Sequence, residues 1–132
     1  FNLLKGDCYL QLNRLKEAAQ CYAVVVKVKP KNVSGQEALI GCLLRGEFFE
    51  EAYTQSLKAL EITKYNALVL YTASAALFGQ GKIKEALQQL ENALAAFPQG
   101  FKKMVDLVPG LLQMPRVVDL ANHYLKKKKN KK

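Results

Sequence analysis

The chain has 132 residues, a length that fits one domain, and half of them are hydrophobic, which excludes wholesale disorder. Lysine and arginine number 20 against 11 aspartates and glutamates, for a net charge of +9. Six of those charges belong to lysines in the segment Lys126–Lys132, so removing them lowers the net charge from +9 to +3. A solvated chain end accounts for this lysine-rich tail, and contact with phosphate or anionic lipid is the functional alternative.

Membrane insertion and cysteine or histidine chemistry are not indicated. The longest uncharged stretch lies between Lys64 and Lys82 and is interrupted by polar residues, so no transmembrane segment is predicted. Three cysteines without close pairs suit neither a disulfide framework nor a zinc site, and we expect Cys8, Cys21 and Cys42 to be buried, reduced thiols. Reduced thiols favour a reducing compartment such as the cytoplasm.

The sequence contains an internal repeat with a period of about 34 residues. The pair Glu-Ala occurs in three registers without a gap, at residues 17–18, 51–52 and 85–86. We predict three units, at about 1–30, 31–64 and 65–98, each made of two helices. The alanines let the two helices of a unit approach closely, and adjacent units must stack because one helix pair cannot bury its apolar face.

The first unit contains an apolar helical stripe that ends at Asn13 and a second helix from about Leu15 to Lys29, which Pro30 terminates. On propensity alone the valine-rich run 24–28 could be a strand, but its counterparts in the other units are clearly helical. The second unit opens with Ser34-Gly35-Gln36-Glu37, the spacing of a capping box, which predicts Ser34 as the cap of its first helix.

After Pro98 the repeat stops, because a fourth unit would carry its first helix through Pro109 and Gly110. We predict a short helix near 100–108, a turn, and a last helix over about 116–128 that starts near Pro115. Residues 99–125 are then capping helices that cover the last repeat, as solenoids require for solubility. The alternative is a helix that docks on a partner or on a second copy of the chain.

Several of these residues carry a family resemblance. Gly6 and Tyr9, Ala18 and Tyr22, and Pro30 resemble the tetratricopeptide repeat, with its 34-residue helix–turn–helix unit. The third unit keeps the pattern at Gly81, Ala86, Leu90, Ala93 and Pro98, and the second is looser. The resemblance implies an all-α, right-handed α-solenoid over residues 1–98. Because Phe1 falls inside the first helix of a unit, we expect a truncated chain with possible upstream repeats. A 35-residue helical repeat that reads RNA is the nearest alternative, and the period of 34 favours the tetratricopeptide family.

The resemblance also implies a function. Similar proteins bind peptides in a concave groove lined by the first helix of each unit. By position, the groove candidates here are Leu3, Asp7, Leu10, Gln11, Glu37, Gly41, Leu44, Arg45, Leu68, Tyr71, Ala75, Phe78 and Gly79. Tyr71, Phe78 and Leu44 are predicted to anchor a ligand through apolar contact. Family members that clamp a terminal carboxylate use basic residues and asparagine where this chain has Leu3, Asp7, Ala38, Leu68 and Thr72, so such a clamp is not expected.

Neither an enzyme nor a cofactor site is predicted, since the chain has no phosphate-binding loop, metal-ligand cluster or nucleophile elbow, and His123 is its one histidine. We therefore predict a non-catalytic scaffold for protein–protein interaction. Three alternatives stay open: the cap or upstream repeats fill the groove, Lys27, Lys29, Lys31 and Lys64 join the tail in binding nucleic acid or an anionic surface, or the solenoid ends form a homo-oligomer.

Overall fold

In a computed structural model, residues 2–129 are described, and within them the chain is helical without a strand. The helices are α1 (Asn2–Gln11), α2 (Leu15–Val28), α3 (Val33–Arg45), α4 (Phe49–Ile62), α5 (Ala67–Gly79), α6 (Ile83–Ala96), α7 (Phe101–Leu107) and α8 (Pro115–Lys129). Two 3-10 turns occupy Pro98–Gly100 and Pro109–Gln113. The predicted all-α class is confirmed, and the right-handed sense of the solenoid stays a prediction.

Helix starts recur along the chain at the interval of the sequence repeat. The second helices of the pairs begin at Leu15, Phe49 and Ile83. The first helices of the second and third pairs begin at Val33 and Ala67, and α7 begins one further interval on, at Phe101. The valine-rich end of α2 is helical, because stacking against the neighbouring pair overrides the strand propensity of valine.

The turn inside each pair is the same structure three times. Asn13, Glu47 and Gly81 have left-handed φ angles of 58°, 62° and 79°. The residue after each one donates its N–H to a carbonyl five residues earlier, with distances of 2.8, 2.9 and 3.0 Å. This is the Schellman ending of a helix, which satisfies carbonyls that the helix itself leaves without a donor.

The cap of α3 is Asn32, which corrects the assignment of Ser34. The Asn32 side-chain oxygen accepts the N–H of Gly35 at 3.0 Å, and the residue has the extended backbone that caps adopt. Ser34 therefore lies inside the first turn, where its side chain is exposed. Asn66 caps α5 by accepting the N–H of Leu68 at 2.9 Å.

The core lies between the helix pairs and is largest around α5. Ala18, Ala52 and Ala86 are all 0% exposed, which confirms their role as small residues at close helix approaches. Every residue of α5 from Val69 to Phe78 is buried. Cys21 and Cys42 are buried free thiols as predicted, whereas Cys8 is exposed, so the prediction of a buried thiol is wrong there.

The C-terminal segment divides between two faces of the repeat. α7 contacts α3 and α5, while α8 packs against α6 and against both 3-10 turns. Residues 130–132 and the side chains of Lys127–Lys129 lie outside the described part, and most of the predicted lysine-rich tail lies there with them. Among residues 2–129, no helix has the length and the apolar character that crossing a membrane requires.

Candidate functional site between α3, α5 and α7

The inner face of the repeat is the side formed by the first helices of the pairs, α1, α3 and α5. α7 lies along this face, against α3 and α5. The ammonium nitrogen of Lys103 is 3.9 Å from a carboxylate oxygen of Glu37 on α3. One turn further along both helices, a Cβ on Gly41 would be 3.3 Å from a methyl carbon of Leu107. Because these two contacts advance together along the sequence, α7 runs in the same direction as α3.

The three helices enclose an open cavity of about 320 Å³. α3 contributes Ser34, Glu37, Ala38 and Arg45 to its lining. α5 contributes Leu68, Tyr71 and Thr72, and the C-terminal segment contributes Gly100, Lys103, Met104, Asp106 and Leu107. The lining is thus mostly apolar, and it also contains charged side chains of both signs.

Glu37 is the least solvated charge in this lining. Its side chain is 23% exposed, against 68% for that of Lys103. Burial raises the pKa of the Glu37 carboxyl above its ordinary value, and the Lys103 ammonium only partly offsets this. The carboxylate is therefore poorly compensated by the chain itself, and a better-placed cation would stabilise its ionised form.

Tyr71 joins α5 to the start of the C-terminal segment. Its hydroxyl donates a hydrogen bond to the carbonyl oxygen of Phe97 at 2.6 Å, and the side chain is 2% exposed. Burial raises the pKa of the Tyr71 hydroxyl well above its ordinary value. A Cβ at position 100 would be 2.5 Å from the Tyr71 ring, so Gly100 lets the chain cross the ring closely.

Four of the predicted groove residues line this cavity, and a fifth contacts α7. Glu37, Arg45, Leu68 and Tyr71 line the cavity, and Gly41 touches Leu107. The structure therefore brings together the predicted candidates of α3 and α5 that lie nearest to α7.

Three other candidates, Leu44, Ala75 and Phe78, lie in the hydrophobic core. They are 3%, 0% and 8% exposed, because α5 is surrounded by its neighbouring helices. This corrects the expectation that Leu44, Phe78 and the almost fully buried Tyr71 form an open apolar surface. Gly79 does not line this cavity, and it approaches the ring of Phe49 on α4 so closely that a Cβ there would collide with it.

Of the candidates on α1, Asp7, Leu10 and Gln11 do not line the cavity. Asp7 accepts a hydrogen bond from the Tyr22 hydroxyl on α2 at 2.5 Å. Leu10 is half-buried against the small core cluster around Tyr22, and Gln11 is exposed. The side chain of Leu3 lies outside the described part of the chain.

Sequence reasoning leaves open that the chain's own cap fills the groove, but it names no residue of α7 that does so. Lys103, Met104, Asp106 and Leu107 line the cavity, yet no repeat pattern assigns residues after Pro98 to the groove. The one available signal is the apolar spacing of Phe101, Met104 and Leu107, which shows that this helix needs a partner surface without saying which one. Ser34 also lines the cavity without being predicted, whereas Ala38 and Thr72 lie at groove positions that the resemblance identifies as those of a carboxylate clamp.

The helix pairs recur at the interval of the sequence repeat, share one turn structure and leave a cavity on their inner face. These features define a helical-repeat protein. Residues 1–32 match the family model described as Tetratricopeptide repeat. This match confirms the resemblance derived from the sequence over the first unit, and the helix pairs that follow recur at the same interval. Repeats of this kind generally serve protein–protein interaction. A search of curated proteins gave no match.

Among residues 2–129, no group of three or more histidine, cysteine, aspartate or glutamate side chains is arranged to hold a metal ion.

Proposed function

We propose that this chain is a non-catalytic interaction module that holds a segment of a partner protein at the cavity between α3, α5 and α7. The observation that carries the proposal is the cavity itself, at about 320 Å³ with apolar walls. A volume of this order accommodates one or a few side chains, and apolar anchors in such pockets supply most of the energy of an interface.

The charges around the cavity favour a polypeptide as its occupant. Glu37 and Arg45 lie on the same helix, two turns apart, and both line the cavity. A peptide can place residues of opposite charge at such a spacing while its apolar side chains enter the pocket. Thr72 is already engaged, because its hydroxyl donates to the Val69 carbonyl at 2.7 Å.

Site-specific photo-cross-linking tests this proposal. A photoreactive amino acid at position 45 should capture a polypeptide, whereas the same group at exposed position 61 on α4 should capture much less. Capture at position 45 should be lost in a Leu68→Glu chain and kept in Leu57→Glu, a matched change at a residue of α4 that is 44% exposed. Equal capture at the two positions, or none at position 45, would contradict the proposal.

Binding of an anionic polymer is the second candidate. Lys27, Lys29 and Lys31 are exposed, and no carboxylate of the described residues lies within 4 Å of their ammonium groups. Such lysines give binding that depends on salt and little on sequence. If the chain binds an anionic polymer in this way, deletion of residues 126–132 together with Lys→Gln changes at positions 27, 29 and 31 should abolish oligonucleotide binding. Raising the salt concentration from about 50 to 200 mM should weaken oligonucleotide binding by the unchanged chain steeply.

Self-association through the first helix pair is the third candidate. Leu4, Leu12 and Val28 are 69%, 68% and 70% exposed, a large apolar exposure for one pair of helices. Sedimentation over a range of concentrations tests it. A concentration-dependent dimer that Leu12→Glu dissociates supports this candidate, and a monomer throughout excludes it.

A further inference from the structure

α7 uses two kinds of contact on the inner face of the repeat. Phe101 and Met104 are 8% and 1% exposed and belong to the main hydrophobic core. Leu107 covers Gly41 of α3, and Lys103 approaches Glu37 between these apolar contacts. The helix thus presents an apolar residue at every third position, with a basic residue two positions after the first.

α7 is held in place by this surface more than by its own helical stability. It has seven residues, and a 3-10 turn that begins with proline precedes it and another follows it. Helices shorter than about 12 residues are marginal in water, so docking supplies most of the stability of α7. Whether α7 is docked or free therefore depends on its contacts with the surface beneath it.

The fit between α7 and its site is incomplete. An open cavity of about 320 Å³ lies between α7, α3 and α5, so part of the surface beneath α7 is not covered by it. The Glu37 carboxylate is mostly buried, and the nearest cation is a largely exposed lysine at 3.9 Å. A longer helix could fill the cavity and place a cation closer to this carboxylate.

We infer that the face of α3 and α5 beneath α7 is a docking site for an amphipathic helix of a partner protein, and that α7 covers this site until the partner displaces it. The partner helix carries apolar residues at the spacing of Phe101, Met104 and Leu107, with a basic residue that pairs with Glu37. This inference rests on the proposed function, because it names the kind of segment that the inner face binds.

The probe is a synthetic peptide of about 18 residues in which the sequence of residues 101–107 is embedded in an alanine- and glutamine-rich helical host. In the full chain, Leu107→Asp weakens the contact of α7 with Gly41 and should raise the affinity for this peptide about tenfold, because the site is then open for a larger fraction of the time. The matched control is Leu112→Asp, a change at a residue that is 55% exposed in the following turn and contributes nothing to the cavity.

Charge reversal tests the ion pair. Glu37→Lys should weaken binding of the peptide about tenfold, and a peptide with glutamate in place of the Lys103 equivalent should regain the loss. Circular dichroism establishes that each variant is folded. If Leu107→Asp unfolds the chain, the wild-type chain serves instead: peptide binding should remove the nuclear Overhauser effects between Leu107 and Gly41.

The outcomes separate this inference from the proposed function. Equal peptide affinity for the Leu107→Asp, Leu112→Asp and wild-type chains, or persistence of the Leu107–Gly41 contact in the peptide complex, overturns the displacement of α7. If polypeptide capture at position 45 survives in that case, only the inference fails. If capture is absent as well, the proposed function fails with it.

Discussion

The two ends of the repeat differ in how much of their apolar surface is covered. At the first pair, Leu4 and Leu12 are more than two-thirds exposed, and the described part of α1 has one buried residue, Gly6. At the third pair, ten consecutive residues of α5, from Val69 to Phe78, are buried. Both pairs are built from the same turn and the same spacing, so the difference comes from their neighbours.

α5 is covered because it has neighbours on several sides. It contacts α4, α6, α3 and α7, whereas the strongest contacts of α1 are with α2. A helix in a stacked repeat buries its apolar surface only where another element lies against it. α7 therefore supplies part of the cover of α3 and α5.

The largest expected effect comes from truncating a core leucine at the covered end. Leu90→Ala on α6 removes a side chain that is 0% exposed and should cost about 2–5 kcal/mol of unfolding free energy. Leu12→Ala at the open end, where 68% of the residue is exposed, should cost less than about 0.5 kcal/mol. Urea denaturation measures both costs. Similar costs would contradict the difference in burial between the first and the third pair.

A smaller difference is expected between the equivalent turns of the two pairs. Gly81 has a φ of 79°, and Gly81→Ala should cost about 1–2 kcal/mol because a side chain is strained in that conformation. Asn13 adopts the equivalent conformation at a φ of 58°, which asparagine tolerates, so Asn13→Gly should change stability by less than about 0.5 kcal/mol. Thermal denaturation distinguishes these results, and a neutral Gly81→Ala would argue against a left-handed turn.

The link between α5 and the C-terminal segment should contribute about 1 kcal/mol. Tyr71→Phe removes the hydrogen bond to the Phe97 carbonyl while keeping the ring that covers Gly100. Tyr65→Phe, at a residue that is 66% exposed, is the matched control and should leave stability unchanged. An equal effect of the two changes on chemical denaturation would show that the hydroxyl of Tyr71 does not hold this segment.

The smallest effect concerns the half-buried carboxyl of Glu37. Because its pKa is raised in the folded chain, its contribution to stability is fully present below the pKa of the unfolded chain and is lost as pH rises through the folded value. Glu37→Gln should therefore be more stable than wild type at pH 7, and the difference should vanish below about pH 4. Denaturation at the two pH values measures it, with Glu61→Gln as an exposed control. A difference that does not depend on pH would contradict this account of Glu37.

The repeat itself could be predicted from the sequence because its determinants are local. The Glu-Ala pairs and the turns at Asn13, Glu47 and Gly81 recur at one common interval, and each acts on helices next to it in the chain. The cap of α3 was assigned two residues too late, because the Ser34–Glu37 spacing imitates a capping box that Asn32 replaces. Spacing alone does not distinguish a cap from the first turn.

The site could be predicted only in part. Glu37, Arg45 and Leu68 follow from their positions on the first helices of the pairs, as the resemblance implies. The contact of Lys103 with Glu37 joins residues that are far apart in the chain, and it depends on the path of the segment after Pro98. No periodicity encodes that path, so the sequence offers the covering of the groove by the cap as an alternative without naming the residues that make it.

The nuclear Overhauser effects of the Leu107 methyl groups test most directly whether α7 lies on α3. In the isotopically labelled full chain, these methyls should show strong effects to the Hα protons of Gly41, since a Cβ at that position would be 3.3 Å from a Leu107 methyl carbon. If the assigned Leu107 methyls show contacts within the C-terminal segment and none to α3, the placement of α7 on α3 is contradicted.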